Sequence, residues 1–568
     1  MTKFSPPRPW TESYAAGVPE DLAPVEGSLV DILAESVRDY PNAPALQFFG
    51  RTTSYRELMD AVERAAAGLK ALGVGKGDTV AIVLPNCPQH IVAFYAILRL
   101  GAVAVEHNPL YTARELRKQF EDHGAKTAIV WSKVVRTVQD FPTDLAVTNL
   151  VTVDVTRAMP ASLRLALRLP VAKARESRAA LTERTSGAIA WEKLVATPPL
   201  PASFPGPTTD DLAIIQYTSG TTGTPKGAML THRNLLSNAR QAQAWTPSIQ
   251  RGKGCVVYAV LPMFHAYGLT LCLTFAMSMG ARLVLFPRFE PAMVLEVTKK
   301  HPATLLPLVP PIADRLLRAA QEAGVSLAGT GVAISGAMAL PHELVVPFEK
   351  ATGGYLVEGY GLSECSPVLM ANPVAENRKP GTVGLPLPGT ECRVVDPDEP
   401  TRDVPAGERG ELIVRGPQLF QGYFGKPEAT EEVFVDGWFR TGDIVQIDDE
   451  GFVRIVDRIK ELIITGGFNV APTEVENALR QHPHVVDAAV VGLPSDHSGE
   501  EVVAAVVLDP TATDADTDAI RDYVRTILTP YKVPRRIFVV DELPKALIGK
   551  VLRRQVRESL LALTQPES

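Results

Sequence analysis

Cysteine is scarce in this chain, and its few copies follow no metal-binding or disulfide pattern. The 568 residues include five cysteines, an odd number, and no two of them form a C-x-x-C pair or a zinc-ligand spacing. A disulfide-stabilised secreted domain is therefore not expected, and a reduced cytoplasmic location is favoured. The N-terminus also lacks the apolar core of a signal peptide, because prolines and polar residues occupy it instead.

An excess of positive charge is absent as well. The formal net charge is -7, which argues against a general nucleic-acid binder, although it leaves room for a local basic patch. The length exceeds what one hydrophobic core supports, so we expect two or more domains.

Charged residues are missing from one long segment, Cys255 to Ala281, which spans 27 residues. That length is enough to cross a membrane. However, Pro262 and Gly268 interrupt the segment, and the apolar run VVYAVL leads into a turn-like LPMFH. We therefore predict a buried strand followed by a helix, with a transmembrane helix as the alternative.

The N-terminal third alternates between helical and strand patterns. Capping boxes at Ser54 with Glu57 and at Thr112 with Glu115 each begin a predicted helix. Apolar runs such as TVAIVL and KTAIV lie between the helices. This alternation predicts a parallel sheet covered by helices.

A basic stretch between Thr156 and Arg184 contrasts with the acidic whole. Only Glu176 and Glu183 oppose its positive side chains, which are Arg157, Arg164, Arg168, Lys173, Arg175, Arg178 and Arg184. We interpret it as a solvated pair of basic helices separated by prolines, and the alternative is a segment that binds a membrane surface.

The most informative stretch is YTSGTTGTPKGAMLTH, from Tyr217 to His232. Its glycines permit a tight turn and a close approach to a ligand, its hydroxyls supply donors, and Lys226 supplies a point charge. Together these features suit a polyphosphate. The stretch is not a Walker A loop, because Pro225 and Gly227 occupy positions where that motif needs glycine and a hydroxyl residue. The flanking sequences, DLAIIQY and AMLTHRNLL, place the loop between a strand and a helix.

Two further glycine-rich segments follow apolar runs. SGAMAL covers residues 335–340 and VEGYGLSE covers residues 357–364. Both are typical of strand ends that line a ligand site in an open α/β sheet. Short β-rich segments continue to Asp457, and the remainder is predicted to form a small α+β domain, which gives domains 1–456 and 457–568.

Six blocks in order resemble the adenylate-forming (AMP-binding) superfamily, and in particular bacterial medium- and long-chain fatty-acid CoA ligases. The blocks are YTSGTTGTPKGAMLTH, LPMFHAYGL, VEGYGLSE, DGWFRTGD, DRIKELIITGGFNVAPTEVE and LPKALIGKVLRR. The resemblance implies an α/β fold with a large N-terminal domain, built of parallel sheets with helices and a β-rich subdomain, and a small mobile α+β C-terminal domain. It also implies that a carboxylate and ATP form an acyl adenylate, which coenzyme A then converts to a thioester.

The resemblance assigns the nucleotide and its magnesium ion to particular residues. It implies that the loop from Thr218 to Lys226 holds the β- and γ-phosphates, that Glu364 holds Mg²⁺ and that Ser363 contacts the α-phosphate. Adenine stacks on Tyr360, and the ribose hydroxyls bind Asp443 and Arg458. The remaining nucleotide contacts implied are Ser219, Gly220, Thr221, Thr222, Gly223, Gly336 and Ala337.

The reacting carboxylate and the acyl chain have their own implied residues. Lys550 neutralises charge between the carboxylate and the α-phosphate, which makes it the first candidate for catalysis. His265 lies beside the carboxylate, and Trp438 gates a fatty-acyl tunnel. For the second half-reaction the small domain reorients at the hinge residue Lys460, and the pantetheine arm of coenzyme A passes Gly466 and Gly467.

Other substrates and partners stay open at the level of sequence. The same adenylate chemistry serves aryl acids, or loads a carrier protein in place of coenzyme A. A membrane carrier of fatty acids, spanning at Cys255 to Ala281, is an alternative of another class. Peripheral association with the cell membrane and a homodimer are further expectations that the sequence does not decide.

Overall fold

The computed structural model describes residues 8–142, 144–145, 147–218, 225–252, 254–465, 468–495, 499–510, 512, 516–546 and 549–564. The chain divides into two compact units. The first unit is Met1–Glu391 with Arg415–Phe434, and the second is Cys392–Val414 with Val435–Ser568. This division rests on compactness, whereas the predicted boundary between residues 456 and 457 concerns mobility, so that boundary stays a prediction.

The first unit contains a sheet of seven strands among the described residues. Their spatial order is Ile189–Ala190, Asn149–Val153, Thr127–Trp131, Thr79–Val83, Val103–Glu106, Leu212–Thr218 and Lys226–Thr231. All neighbouring strands are parallel except the last pair, which forms an antiparallel hairpin. The predicted alternation of strand and helix is confirmed. Both predicted capping boxes are present, at Ser54 with Glu57 and at Thr112 with Glu115.

A second sheet of the first unit has nine strands among the described residues. Their order is Leu385–Pro386, Val368–Ala371, Tyr355–Gly361, Val332–Ser335, Leu305–Leu308, Val256–Ala259, Arg282–Leu285, Pro44–Phe48 and Arg51–Ser54. The six strands from Tyr355–Gly361 to Pro44–Phe48 are parallel, and antiparallel strands flank them. The predicted segment SGAMAL begins at the last residue of Val332–Ser335, whereas VEGYGLSE begins inside the neighbouring parallel strand Tyr355–Gly361 and leaves it after Gly361.

Helices accompany these sheets. In the first unit they are Leu29–Asp39, Tyr55–Ala71, Pro88–Arg99, Ala113–His123, Val135–Gln139, Ala161–Ala166, Ala172–Leu181, Trp191–Leu194, His232–Trp245, Ala266–Gly268, Phe275–Met279, Pro291–Thr298, Pro310–Ala323, His342–Thr352 and Pro427–Glu431. A π-helical stretch, Leu269–Thr274, joins two of them.

The uncharged segment from Cys255 to Ala281 is buried inside the first unit. It forms the strand Val256–Ala259 and then the helical run Ala266–Met279, so the prediction of a strand followed by a helix is confirmed. None of the helices in the described part of the chain combines the length and apolar character needed to cross a membrane.

The second unit contains two more sheets. One consists of Glu391–Val395, Gly410–Arg415, Trp438–Ile447 and Phe434–Val435, with Val453–Arg458 paired to Trp438–Ile447. The other consists of Phe468–Val470, Ile463–Thr465, Gly499–Leu508 and Val485–Ser495, with Arg536–Val539 paired to Gly499–Leu508. The helices Pro472–Arg480, Thr517–Arg525 and Arg553–Thr564 complete the C-terminal part, which is the α+β structure that the sequence predicts.

Candidate active site

The predicted phosphate-binding stretch is carried by a hairpin at the edge of the seven-stranded sheet. Thr218 and Lys226 are paired at the loop end of this hairpin, and the Thr218 hydroxyl donates to the Lys226 carbonyl over 3.4 Å. The loop residues between them, Ser219, Gly220, Thr221, Thr222 and Gly223, lie outside the described residues.

One detail of the predicted order of strand, loop and helix is wrong. The sequence predicts a helix directly after the loop, but the strand Lys226–Thr231 intervenes before the helix His232–Trp245. This strand forms because both of its edges find partners: Leu212–Thr218 on one side and the segment 421–424 on the other. The helix itself begins after this strand, with a capping box of Thr231 and Asn234.

Asp122 links the two arms of this hairpin. Its carboxylate accepts from the Tyr217 hydroxyl over 2.8 Å and pairs with the Lys426 ammonium over 2.7 Å. The same ammonium donates to the Pro225 carbonyl over 3.3 Å. The base of the loop is thus fixed from both sides by a half-buried carboxylate.

Two of the predicted site residues contact the same aromatic side chain, Tyr423. The Lys226 ammonium lies 4.9 Å from the centroid of the Tyr423 ring, and the Tyr423 hydroxyl donates to Glu364 Oε1 over 2.8 Å. Burial and the neighbouring Glu364 carboxylate raise the pKa of Tyr423, so the phenol remains protonated and acts as a donor.

Glu364 fits the way in which proteins hold nucleotide-bound magnesium. Mg²⁺ prefers oxygen ligands and is often held by one or two carboxylates together with substrate phosphates. Glu364 has a buried carboxylate and lies in the short helix Ser363–Cys365, which follows the strand Tyr355–Gly361. Among the described residues no group of three or more His, Cys, Asp or Glu is arranged to hold a metal ion, so a cage made of protein side chains alone is not seen there.

His265 lies in a loop that is attached to the same hairpin. Gln216 donates from its amide to the Phe264 carbonyl over 2.8 Å, which ties this loop to the strand that ends at Thr218. His265 Nδ1 accepts from the Tyr267 backbone N–H, and burial lowers the pKa of His265 to about 4. The imidazole is therefore neutral at pH 7 and carries its proton on Nε2, where it can donate to a carboxylate.

The predicted adenine-binding residues lie at or directly after the carboxyl ends of two neighbouring parallel strands. Gly336 lies directly against Tyr267, since an added Cβ would come within 3.0 Å of that ring. Ala337 adopts a φ of 65°, an uncommon backbone conformation for a residue with a side chain. Tyr360 is largely buried at the end of the adjacent strand, and Ser363 is half-buried one turn later.

The second unit brings together three other predicted residues. Arg458 and Asp443 are paired on neighbouring strands, and Arg458 Nε lies 3.1 Å from Asp443 Oδ1. Lys550 is affected by both of their charges: burial and, to a smaller extent, Arg458 lower the pKa of Lys550 to about 8, while Glu461 and Asp443 oppose the shift. These three residues therefore share one electrostatic environment.

Lys460 and Trp438 also belong to the second unit. Lys460 is exposed in the short helix Ile459–Glu461, directly after Arg458. Trp438 is buried with Val395 and Ile413, and the Arg393 guanidinium lies 5.5 Å from its ring centroid. Gly466 and Gly467 lie outside the described residues.

Sequence reasoning missed Tyr423, Asp122, Lys426 and Gln216. Each acts by contact with a residue that is distant along the chain; Lys426 and Asp122, for example, are 304 positions apart. The only local signal at Tyr423 is its position between Gly422 and Gly425, which is common in turns.

The chain is similar along most of its length to proteins that are already known. The family model described as "AMP-binding enzyme" matches residues 33–424, and the model described as "AMP-binding enzyme C-terminal domain" matches residues 474–550. A long-chain-fatty-acid–CoA ligase of Bacillus subtilis is 37% identical, with 97% of this chain and 98% of that protein covered.

Aromatic-acid ligases are similar as well. The 4-coumarate–CoA ligase 3 of Oryza sativa subsp. japonica is 34% identical, with 90% of this chain and 88% of that protein covered. A solved structure, the anthranilate CoA ligase AuaEII in complex with anthranoyl-AMP, superposes with a TM-score of 0.81 at 25% identity, covering 95% of this chain and 99% of that one.

Proposed function

The chain belongs to the AMP-binding enzyme family, and from that membership we propose that it is an ATP-dependent fatty-acid CoA ligase. It would activate a medium- or long-chain carboxylate as the acyl adenylate and transfer the acyl group to coenzyme A. The observation that carries the proposal is the similarity along nearly the whole chain to a long-chain ligase. The clustering of Lys226 and Glu364 at Tyr423, and of Asp443, Arg458 and Lys550, supports it.

In this mechanism the first unit would act on the phosphates. Lys226, held at the base of the loop, would stabilise the pyrophosphate leaving group, and Glu364 would hold the magnesium ion that bridges the phosphates. The neutral His265 would donate from Nε2 to the fatty-acid carboxylate and orient it towards the α-phosphorus.

The residues of the second unit would act on the ribose and on the developing charge. Asp443 would accept from the ribose hydroxyls, and Arg458 would donate to them. Lys550 would neutralise the negative charge that accumulates as the carboxylate attacks phosphorus. We also propose that residues 457–568 reorient at Lys460 between the two half-reactions, because Lys550 and the pantetheine thiol need the same space in turn.

We expect medium- and long-chain fatty acids to react faster than acetate and aromatic acids. Each methylene group buried in a tunnel contributes about 0.8 kcal/mol, so a few carbons change the apparent affinity by orders of magnitude. Pyrophosphate release and thioester formation, measured over acids from acetate to oleate with and without coenzyme A, test this. The proposed specificity would be wrong if benzoate or coumarate gave higher rates than both decanoate and palmitate. That result is expected of an aryl-acid ligase.

We further propose that the protein works in the cytoplasm at the inner face of the membrane. All five cysteines are buried free thiols, which suits a reducing compartment. The basic stretch forms the helices Ala161–Ala166 and Ala172–Leu181, with exposed aliphatic side chains at Leu163, Leu165, Leu169 and Val171. Within the described residues, the basic side chains from Arg164 to Arg184 form no salt bridge. A homodimer stays a prediction.

Vesicle sedimentation tests whether the basic stretch binds a membrane surface. Each uncompensated basic side chain near anionic lipid contributes on the order of 1 kcal/mol, so replacing Arg164, Arg168 and Lys173 with glutamine should weaken binding to anionic vesicles by about two orders of magnitude. A matched control replaces Arg136, Arg288 and Arg318, which already pair with carboxylates, and should bind as the wild type does. Equal binding to neutral and anionic vesicles would leave only a solvated helix pair.

A further inference from the structure

Tyr423 is held in place by more contacts than a surface turn requires. The segment around it pairs with the strand Lys226–Thr231 through the backbone bonds from Gln421 N to Met229 O, Met229 N to Gly422 O and Phe424 N to Gly227 O. The backbone N–H of Tyr423 donates to the Thr430 hydroxyl over 2.9 Å. The ring packs edge-on against Phe420 at 5.0 Å and is 7% exposed. The side chain therefore has one fixed position.

That position presents two different chemical groups to two charged residues. The face of the ring receives the Lys226 ammonium at 4.9 Å, since aromatic faces attract cations. The hydroxyl donates to Glu364 Oε1 over 2.8 Å, a hydrogen bond strengthened by the carboxylate charge. Lys226 lies on a strand of the seven-stranded sheet, whereas Glu364 lies in the short helix Ser363–Cys365, between two strands of the nine-stranded sheet. Tyr423 therefore connects residues from two separate parts of the first unit.

We propose that Tyr423 is a positioning residue, which fixes the Lys226 ammonium and the Glu364 carboxylate relative to each other before the magnesium–polyphosphate group binds. This inference rests on the proposed function only for the roles of Lys226 and Glu364. The alternative is that Tyr423 merely fills space between the two sheets.

Substitutions separate the two functions of the side chain. Tyr423→Phe keeps the ring over Lys226 and removes the donor to Glu364, whereas Tyr423→Leu removes both interactions. Tyr355→Phe is a matched control, because Tyr355 has an Arg378 guanidinium 4.9 Å from its ring and donates to Glu376 over 3.1 Å, but at the protein surface.

Calorimetric binding of ATP, with and without Mg²⁺, is the readout that does not depend on turnover. We expect Tyr423→Phe to weaken MgATP binding about tenfold and metal-free ATP binding much less, since one charged hydrogen bond at the metal ligand is lost. Tyr423→Leu should weaken both forms. In turnover, Tyr423→Phe should raise the Mg²⁺ concentration for half-maximal pyrophosphate release, and Tyr355→Phe should match the wild type.

The outcomes separate the inference from the proposed function. If Tyr423→Phe lowers the melting temperature but leaves both ATP affinities and the Mg²⁺ requirement at wild-type values, Tyr423 only fills space and the inference is wrong. If wild-type protein releases pyrophosphate with no carboxylic acid, the proposed ligase activity is wrong, yet the binding comparison still decides the role of Tyr423.

Discussion

Replacing Lys550 with alanine should lower the rate of acyl-adenylate formation by about two to four orders of magnitude, because about 3 to 5 kcal/mol of charge stabilisation is lost at the transition state. Thioester formation from supplied acyl adenylate should survive, since in the proposed mechanism Lys550 would act only in the first half-reaction. The two half-reactions are therefore measured separately. Lys545→Ala is the matched control, because Lys545 lies in the same segment but is exposed and pairs with Asp487. Equal loss in both half-reactions of a folded Lys550→Ala protein would contradict domain alternation.

The pH dependence gives the same residue a second signature. Burial and the Arg458 charge lower the pKa of Lys550 to about 8, from an ordinary value of 10.5. The cationic form is thus lost as pH rises through about 8, and kcat/KM for pyrophosphate release should decline above that pH. Lys550→Arg should abolish this alkaline decline, whatever its absolute rate, because a guanidinium stays charged. A decline that persists unchanged in Lys550→Arg would assign it to another group.

Local sequence patterns predicted the helices and strands of this fold well, because helices and strands depend largely on residues that are close along the chain. The capping boxes at Ser54 and Thr112 and the buried strand at Val256–Ala259 are set by side chains a few positions apart. The order of strands was not predictable in this way. Pro44–Phe48 lies beside Arg282–Leu285, more than 200 residues away, and no local spacing encodes that pairing.

The residues of the candidate site also fall into a group that local sequence patterns reveal and a group that they do not. Its charged residues were identified because the six blocks carry them in order, but the side chains that hold them were not. The Tyr423 hydroxyl reaches a carboxylate 59 positions away, and the strand Lys226–Thr231 pairs along its second edge with a segment that is distant along the chain. Trp438 illustrates the opposite case. Its burial with Val395 and Ile413 describes a packed side chain, so its role at an acyl tunnel stays a prediction.

Glu364→Gln should lower adenylate formation by about two to three orders of magnitude, because a metal ion that bridges phosphates contributes several kcal/mol and needs an anionic oxygen ligand. The amide has nearly the shape of the carboxylate, and its oxygen can still accept from the Tyr423 hydroxyl, so the melting temperature should change little. Loss of activity with retained stability would therefore point to the charge.

A magnesium titration at fixed ATP distinguishes this effect from a general disturbance of the site. If Glu364 holds the ion, the Glu364→Gln variant should need much more Mg²⁺ for half-maximal pyrophosphate release, because one ligand charge is gone. Glu376→Gln is the control, since Glu376 also accepts from a tyrosine hydroxyl but lies at the surface. Should Glu364→Gln work at the wild-type rate over the whole titration, the magnesium role would be wrong. A uniformly lower rate with an unchanged Mg²⁺ requirement would mean that Mg²⁺ binds equally well without the negative charge of Glu364. That result would instead place Glu364 among the residues that orient the phosphates.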